Sequence, residues 1–288
     1  MITFDTLVPR ALVDRGDTTT VLITSFEKDG NALRAGAVWS RLGGYYSTLD
    51  HETHDPILVL ETFRQAALLI AHVVDDVPLA TMQIMRSVEF TVDPAGLKMT
   101  AEPTELIAEL TTARSSSTQN IMQTTIGLAL YRGGDRIATG TGQAIVPPNE
   151  TYLKVRGRDP DSVVTSRDAI PPAVDARTAG KAQTRDVVIS PAPGGAGFRL
   201  RVDPEHPNFF DNPTDHSPGM LLTEAMRQAV VAESGDPNFL PLSVSLQFFR
   251  FVELDSPAAV TVARRSDGFH TEVRQFDKLA ARASWPTA

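Results

Sequence analysis

The chain has no cysteine in its 288 residues. Disulfides, thiolate nucleophiles and cysteine-rich zinc sites are therefore excluded. Positive charge is not in excess either. A net charge of −8 gives no support to a general role on nucleic acid or on a membrane surface, although local arginines can still hold a phosphorylated substrate. No stretch approaches the roughly 18 uncharged apolar residues of a membrane-crossing helix. The first residues, MITFDTLVPRALVDRG, lack a basic segment followed by an apolar one. The expectation is a soluble cytoplasmic protein. Dinucleotide fingerprints, serine elbows and basic recognition helices are also missing. Gly194-Gly195-Ala196-Gly197 has no following helix and no Lys-Ser/Thr, so it reads as a hairpin turn and not as a phosphate loop. What remains is ordinary globular material. With 42% hydrophobic and 22% charged residues, the chain can build a core as two domains or as one double-sized body.

One pattern is present twice. Glu61-x-x-Arg64-Gln65-Ala66 returns as Glu224-x-x-Arg227-Gln228-Ala229, 163 residues later. Downstream, Gln83-x-x-Arg86-x-Val88-Glu89 returns as Gln247-x-x-Arg250-x-Val252-Glu253, 164 residues later. Two ordered matches at nearly one period indicate a duplicated unit of small-domain size, and such pairs form a pseudo-symmetric body.

Each half carries one strong helix signal. Asp55-Pro56 opens the first, with Asp as cap and Pro at the first helical position. From Ile57 to Val74 nearly every side is apolar, and Glu61, Arg64, Gln65 and His72 share one stripe. Ser217-Pro218 opens the second, which should run from about Pro218 to Glu233, with Glu224, Arg227 and Gln228 as its polar seam. Strand signals flank both helices. Val21–Phe26 and Ala35–Trp39 precede the first helix. Ala80–Val92, Leu97–Glu102, Leu106–Thr112, Gln119–Tyr131 and Arg136–Ile145 follow it. Asp186–Ile189 and Phe198–Val202 precede the second helix. Leu242–Val252, Ala258–Ala263, Phe269–Gln275 and Ala280–Trp285 follow that one. Short strands, one buried helix and then an antiparallel meander describe a sheet wrapped around a helix, which is the α+β hot-dog arrangement. Two copies make a double hot dog with a pseudo-twofold. The repeats are expected at 1–148 and 183–288, joined by a Pro-, Asp-, Arg- and Ser-rich linker at 149–182.

These residues resemble the A-factor biosynthesis family, the γ-butyrolactone synthases of actinomycetes. The likeness rests on an acidic lead-in before each Glu-x-x-Arg-Gln: Asp50-His51-Glu52-Thr53-His54-Asp55-Pro56 in the first copy. The second copy is fuller, Asn208 to Leu222, with Asp215-His216-Ser217-Pro218-Gly219-Met220 at its end; it departs at Asn212, where the family carries His. The resemblance implies tandem hot-dog domains and an acyltransferase that makes a γ-butyrolactone or butenolide signal of secondary metabolism. It further implies transfer of a β-ketoacyl group from an acyl carrier protein or CoA thioester to the hydroxyl of dihydroxyacetone phosphate. No metal or redox cofactor is needed for that reaction. Its partners would be these small molecules and a carrier, with no nucleic acid and no membrane, in a monomer of pseudo-dimeric repeats or a homo-oligomer. Hot-dog dehydratases place a catalytic His fourteen residues before the helical acid; Ser47 and Phe210 stand there, so simple dehydration is disfavoured. Thioester hydrolysis and non-catalytic acyl or lactone binding are the alternative functions.

The candidate site residues follow from chemistry. A carboxylate on a buried helix must be paired. Burial raises its pKa and Arg at i+3 lowers it, so Glu224 and Glu61 are candidate bases. Arg227 and Arg64, with Gln228 and Gln65, are candidate substrate and phosphate ligands. Gly219 lets substrate approach the amides of the second helix. His216, beside that entrance, is a candidate acid, base or phosphate donor. The competing reading is a plain intrahelical Glu–Arg pair that holds the fold. His51 and His54, with Asp50, Glu52 and Asp55, carry ligand-type side chains but read as a polar loop, and no metal is expected.

Overall fold

The computed structural model describes residues 1–42, 44–79, 81–116, 121–157 and 170–287. The chain divides into two compact units, residues 1–46 with 51–157, and residues 47–50 with 158–288.

In the first unit, helix α1 (Ile57–Val73) forms where the sequence places it. Asp55 Oδ1 accepts from Ile57 N at 2.9 Å, which satisfies an amide that the first helical turn leaves open. Ile57, Val59, Leu60, Phe63, Ala66, Leu69 and Ile70 are all buried, as an apolar-all-round helix requires. Around it lie β1 (Ile23–Asp29), β2 (Ala32–Trp39), β3 (Ile84–Val92), β4 (Thr104–Ser116), β5 (Met122–Arg132) and β6 (Asp135–Val146). They pair antiparallel in the order β1-β2-β4-β5-β6-β3. Alternation along β4 buries Leu106, Ala108 and Leu110 and exposes Glu105 and Glu109, so one face of the sheet turns to the helix.

Close approach of α1 to the sheet depends on glycine. A Cβ at Gly142 of β6 would stand 3.0 Å from Phe63 Cζ, and one at Gly140 would stand 2.9 Å from Glu89 O. Phe63 thus fills the space that side chains on β6 would occupy. A branched residue there overpacks the core.

The second unit repeats the plan. Strands β7 (Ile189–Pro191), β8 (Phe198–Leu200), β9 (Ser243–Phe248), β10 (Ala259–Arg265), β11 (Gly268–Gln275) and β12 (Lys278–Pro286) accompany helix α3 (Gly219–Ser234). Their order is β9-β12-β11-β10-β8-β7, again antiparallel throughout. Reading β7 as β1, β8 as β2, and so on to β12 as β6, the two orders are identical, so the duplication extends beyond the motif to the topology. α3 packs on β7, β8, β10, β11 and β12 and stops at Gly235, whose φ of 70° ends the helix in the left-handed conformation. The Gly194–Gly197 segment is the β7–β8 turn, with Ala192 N donating to Gly197 O.

Four sequence expectations change. The strand read at Leu97–Glu102 is instead a 3-10 turn, Pro94–Leu97, capped by Asp93, followed by one bridge from Lys98 to Thr53. The strands after each helix are not a simple meander, because β3 pairs with β6 and β9 with β12. Strand β9 ends at Phe248 and not near Val252: Phe249 N and Arg250 N both donate to Ala280 O, which breaks the ladder. Arg250 and Glu253 therefore lie beyond the strand, while Arg86 and Glu89 lie on β3. Within the expected linker, Asn149–Arg156 forms helix α2, with Glu150 in its first turn and Lys154 and Arg156 in its last, the order its dipole favours. Residues 158–169 of that linker, Ala80, and Gln119 at the start of an expected strand lie outside the described residues. Among the described residues no helix is long and apolar enough to cross a membrane.

Replacing Gly142 by Val is expected to cost about 1–3 kcal/mol, read by urea denaturation. Adding Phe63→Leu should return part of that loss by vacating the ring's far end. A double variant no more stable than Gly142→Val would show that Phe63 is not what the glycine accommodates.

Candidate active site

Both motif glutamates are buried, Glu61 at 1% exposure and Glu224 at 0%. Neither side chain is idle. Arg64 reaches back one turn and donates from Nε and Nη2 to Glu61, both at 3.0 Å. Gln65 Nε2 donates to Glu61 Oε1 at 2.7 Å. In the second unit, Arg227 donates from Nε to Glu224 Oε2 at 2.9 Å and from Nη2 to Oε1 at 2.6 Å, a two-pronged pair. Gln228 Nε2 adds 2.9 Å to Oε1.

Each carboxylate also meets a second cation from outside its helix. Arg15 Nη2 donates to Glu61 Oε1 at 2.8 Å, and Lys181 Nζ lies 3.1 Å from Glu224 Oε1. Both cations are buried and stand shortly before the first strand of their unit. The glutamines complete the tether. Gln65 accepts from Leu22 N and donates to Thr20 O, at 2.8 and 2.9 Å. Gln228 accepts from Val188 N and donates to Asp186 O at the same two distances. Leu22 and Thr20 lie seven and five residues after Arg15; Val188 and Asp186 lie seven and five after Lys181. The same device is thus built twice, although the second cations and the backbone positions they accompany share no residue identity. Reading the sequence missed both cations because only their charge and position repeat, and Lys181 falls in the stretch read as linker.

This environment sets the charge. Burial, the largest single influence, opposes ionisation of Glu61. The nearby charges of Arg64 and Arg15, with hydrogen bonds from Arg64 and Gln65, outweigh it and hold the carboxyl at about 2. Glu224 is likewise opposed by burial but held at about 2 by Arg227, Lys181 and Gln228. A base effective near neutrality needs a pKa near the working pH, and these two are anions fully engaged with donors.

The helix entrances differ. At α1, Asp55 caps Ile57 N. His54 is buried with Nε2 2.9 Å from Thr104 Oγ1 and its ring against Trp39, 5.2 Å between centroids. Burial first, then the charge of Arg132, pushes His54 down to about 4. His51 adopts a left-handed φ of 57° in the preceding loop. At α3 the N-cap residue, Pro218, makes no side-chain cap hydrogen bond. Ser217, in the place of Asp55, is buried with a hydroxyl that makes no hydrogen bond among the described residues, and Gly219 is half-buried with its carbonyl accepting from Thr223 Oγ1. His216 is 17% exposed by side chain, with Nδ1 2.7 Å from Asp215 Oδ1 and its ring edge-on to Phe251. His206, not singled out in the sequence, is buried against Phe209, accepts from Asn208 N and lies 3.9 Å from Asp186. Burial first lowers its pKa, against Asp186 and Asp203. Gln247 accepts from Arg282 on the surface instead of joining the seam, and His72 faces Val77 O.

Two stability predictions follow from these charges. Glu224→Gln leaves Lys181 and Arg227 buried beside a neutral amide and is expected to cost about 3–5 kcal/mol in urea denaturation, whereas Lys181→Met should cost less because Arg227 keeps its two-pronged contact. Acid should weaken the fold in two stages. Burial lowers His54 and His206 from 6.5, so the unfolded chain binds those protons first; their contribution is whole above about pH 6.5 and fades as pH falls below it, for His54 down to about 4. The glutamates, at about 2 folded against 4.5 ordinarily, contribute fully above about pH 4.5 and lose it on descent to 2. Asp75, raised by burial, works in the opposite direction. Urea midpoints measured from neutral to about pH 3 check this; a first stage unchanged in His54→Gln would remove His54 from the account.

Comparison with known proteins now bears on this geometry. A 12:0-ACP thioesterase from Umbellularia californica superposes with a TM-score of 0.53 at 15% identity, covering 90% of this chain and 97% of that one, which supports the fold alone. A 2-oxo-3-(phosphooxy)propyl 3-oxoalkanoate synthase from Streptomyces coelicolor is 32% identical over 262 residues, 90% of this chain and 82% of that protein. The protein of the same name from Streptomyces virginiae is 31% identical over 253 residues, 87% of this chain and 85% of its own length. The A-factor biosynthesis hotdog domain matches residues 3–147 and 164–285, one match for each unit. The chain belongs to the A-factor biosynthesis hotdog family.

Proposed function

We propose that this chain is a 2-oxo-3-(phosphooxy)propyl 3-oxoalkanoate synthase, an acyltransferase of γ-butyrolactone signal biosynthesis. The observation that carries this reading is the match along nine-tenths of the chain to a relative of that name. The name itself describes an ester. Its acyl part is a 3-oxoalkanoate and its alcohol part is dihydroxyacetone phosphate, so the reaction joins a β-ketoacyl group to that hydroxyl. An acyl thioester on carrier protein or CoA is the donor whose cleavage drives the step.

The residues divide the work as follows. His216 Nε2 takes the proton of the acceptor hydroxyl as its oxygen attacks the thioester carbonyl carbon. The leading amides of α3, at Gly219 and Met220, donate to the oxygen that becomes an oxyanion. The carbon–sulfur bond then breaks, and the departing thiolate receives the proton that His216 holds. Arg227 and Gln228 act from a fixed place: Glu224 holds the guanidinium in its two-pronged contact and so orients it towards the substrate phosphate. Glu224 serves as the counter-charge of that arrangement and not as the proton acceptor. The first unit keeps Glu61, Arg64 and Gln65 in the same tether, but Asp55 occupies the α1 amide that would have to meet a carbonyl oxygen. Turnover therefore belongs to the second unit.

The product carries an acidic methylene between two carbonyls and, four bonds along the chain, the ketone of the acceptor, so that attack of one on the other with loss of water closes a five-membered ring. Closure of one on the other gives the butenolide ring, the chemistry expected of the next step.

The test is thiol release from a β-ketoacyl thioester by the purified chain, with and without dihydroxyacetone phosphate. Release that depends on the acceptor, with the ester seen by mass spectrometry, is the expected result. His216→Gln should lower kcat by about 10²–10⁴-fold, and Asp55→Ala should leave it within a few-fold. Release without acceptor would make the protein a thioesterase, and saturable acyl binding without release would make it a binding protein.

A further inference from the structure

An imidazole accepts a proton at one nitrogen only when its other nitrogen carries hydrogen, so a histidine base needs a neighbour that selects the tautomer. His216 has one. Asp215 Oδ1 lies 2.7 Å from His216 Nδ1, and an ionised carboxylate only accepts hydrogen bonds. Nδ1 must therefore carry the hydrogen, which leaves the lone pair on Nε2.

The rest of the neighbourhood fixes the ring in place. Its edge meets Phe251 at 4.7 Å with the planes 70° apart. Phe251 sits on a loop held from behind, because Gln275 accepts from Glu253 N at 2.7 Å and donates to Glu253 O at 3.0 Å. The histidine's own segment is pinned to that loop, with Ser217 N donating to Val252 O at 2.8 Å, and Thr214 Oγ1 donates to His216 O at 3.1 Å. The charged side chains on these packed segments are Asp211 and Asp215 beside the histidine, Arg250 and Glu253 on the Phe251 loop, and Glu224 and Arg227 on α3, the last two bound to each other.

The other histidines supply a contrast. His54 and His206 are buried. His270 also meets a carboxylate, Asp267 at 3.0 Å, but on the exposed β10–β11 hairpin, with side chains 38% and 69% exposed. The Asp215–His216 pair is 9% and 17% exposed, shielded enough for the carboxylate to steer the ring and open enough for a substrate to reach it.

We propose that Asp215 is the positioning residue of an Asp215–His216 dyad. It holds His216 as the Nδ1–H tautomer with Nε2 facing the acceptor hydroxyl, and it stabilises the imidazolium formed when that hydroxyl loses its proton to Nε2. This rests on the acyl-transfer reading above, and two measurements separate the fates of the two.

The first is nitrogen NMR of His216 in the full-length protein, which needs no turnover. The wild type should show hydrogen on Nδ1, and Asp215→Asn should shift the ring towards the Nε2–H form. A wild-type ring in the Nε2–H form would overturn the dyad whatever the enzyme does. The second is kinetics with a β-ketoacyl thioester and dihydroxyacetone phosphate. Asp215→Asn should keep the urea midpoint and KM and lower kcat by about a hundredfold or more. Asp215→Glu should recover part of the rate, and Asp267→Asn should change none of it. Unchanged kcat in Asp215→Asn would also overturn the dyad. Wild-type protein that shows the expected tautomer but no acceptor-dependent thiol release would refute the acyl-transfer reading while leaving the pair's geometry standing.

Discussion

A carboxylate in the middle of an apolar helix is the constraint around which each unit is organised. Glu61 and Glu224 sit on helices enclosed by their own sheets, where an unpaired charge costs far more than a fold of this size can carry. One arginine from the next turn does not neutralise such a site and also fill its hydrogen-bonding capacity. Each unit therefore draws in a second cation and a glutamine, and both come with main chain attached. Arg15 and Lys181 lie just before the first strands, and Gln65 and Gln228 bond the backbone of those same segments. The buried charge thereby links helix to sheet edge. Replacing the whole group with hydrocarbon could be as stable, so its retention in both copies speaks for orientation of Arg64 and Arg227 as well as for adhesion.

From equal cores the two units diverge at their helix entrances. A helix N-terminus offers unpaired amides and a positive end. In the first unit Asp55 takes up that capacity, and His54 is sealed under Trp39 and against Thr104. In the second unit the corresponding place holds Ser217, which caps nothing, next to a histidine that keeps partial access to solvent. Under the acyl-transfer proposal only the second entrance works. The other is free to gain a cap, which adds about 0.5–2 kcal/mol of helix stability.

Much of this was legible in the sequence. The Glu-x-x-Arg-Gln repeat located both helices within about a residue, because an apolar run with a Pro-led start has few other outcomes. The hairpin turn at Gly194–Gly197 was equally plain. What escaped were features that depend on partners distant in sequence. Strand β9 reads as continuous to Val252, and only the double claim of Phe249 N and Arg250 N on Ala280 O ends it. The pairing of β3 with β6 leaves no local mark. Lys181 looked like linker because its importance lies in reaching Glu224, 43 residues on. Glu224 itself was read correctly as buried and paired, but the count of its donors decides whether it is a base or a counter-ion, and that count needs coordinates.

That count supports the proposal that the proton-handling group stands off the helix. A residue inside the charge network is held far from neutrality by the neighbours that make its burial tolerable, so the network can orient an arginine but cannot exchange protons at physiological pH. A base must sit where one face meets solvent or substrate and the other meets a single steering group. The loop before α3 supplies that position, because Ser217 N and Phe251 anchor it to the segment after β9 without burying His216. The early end of β9 is part of the same arrangement: beyond it Val252 O accepts from Ser217 N, which ties the histidine's segment to the Phe251 loop.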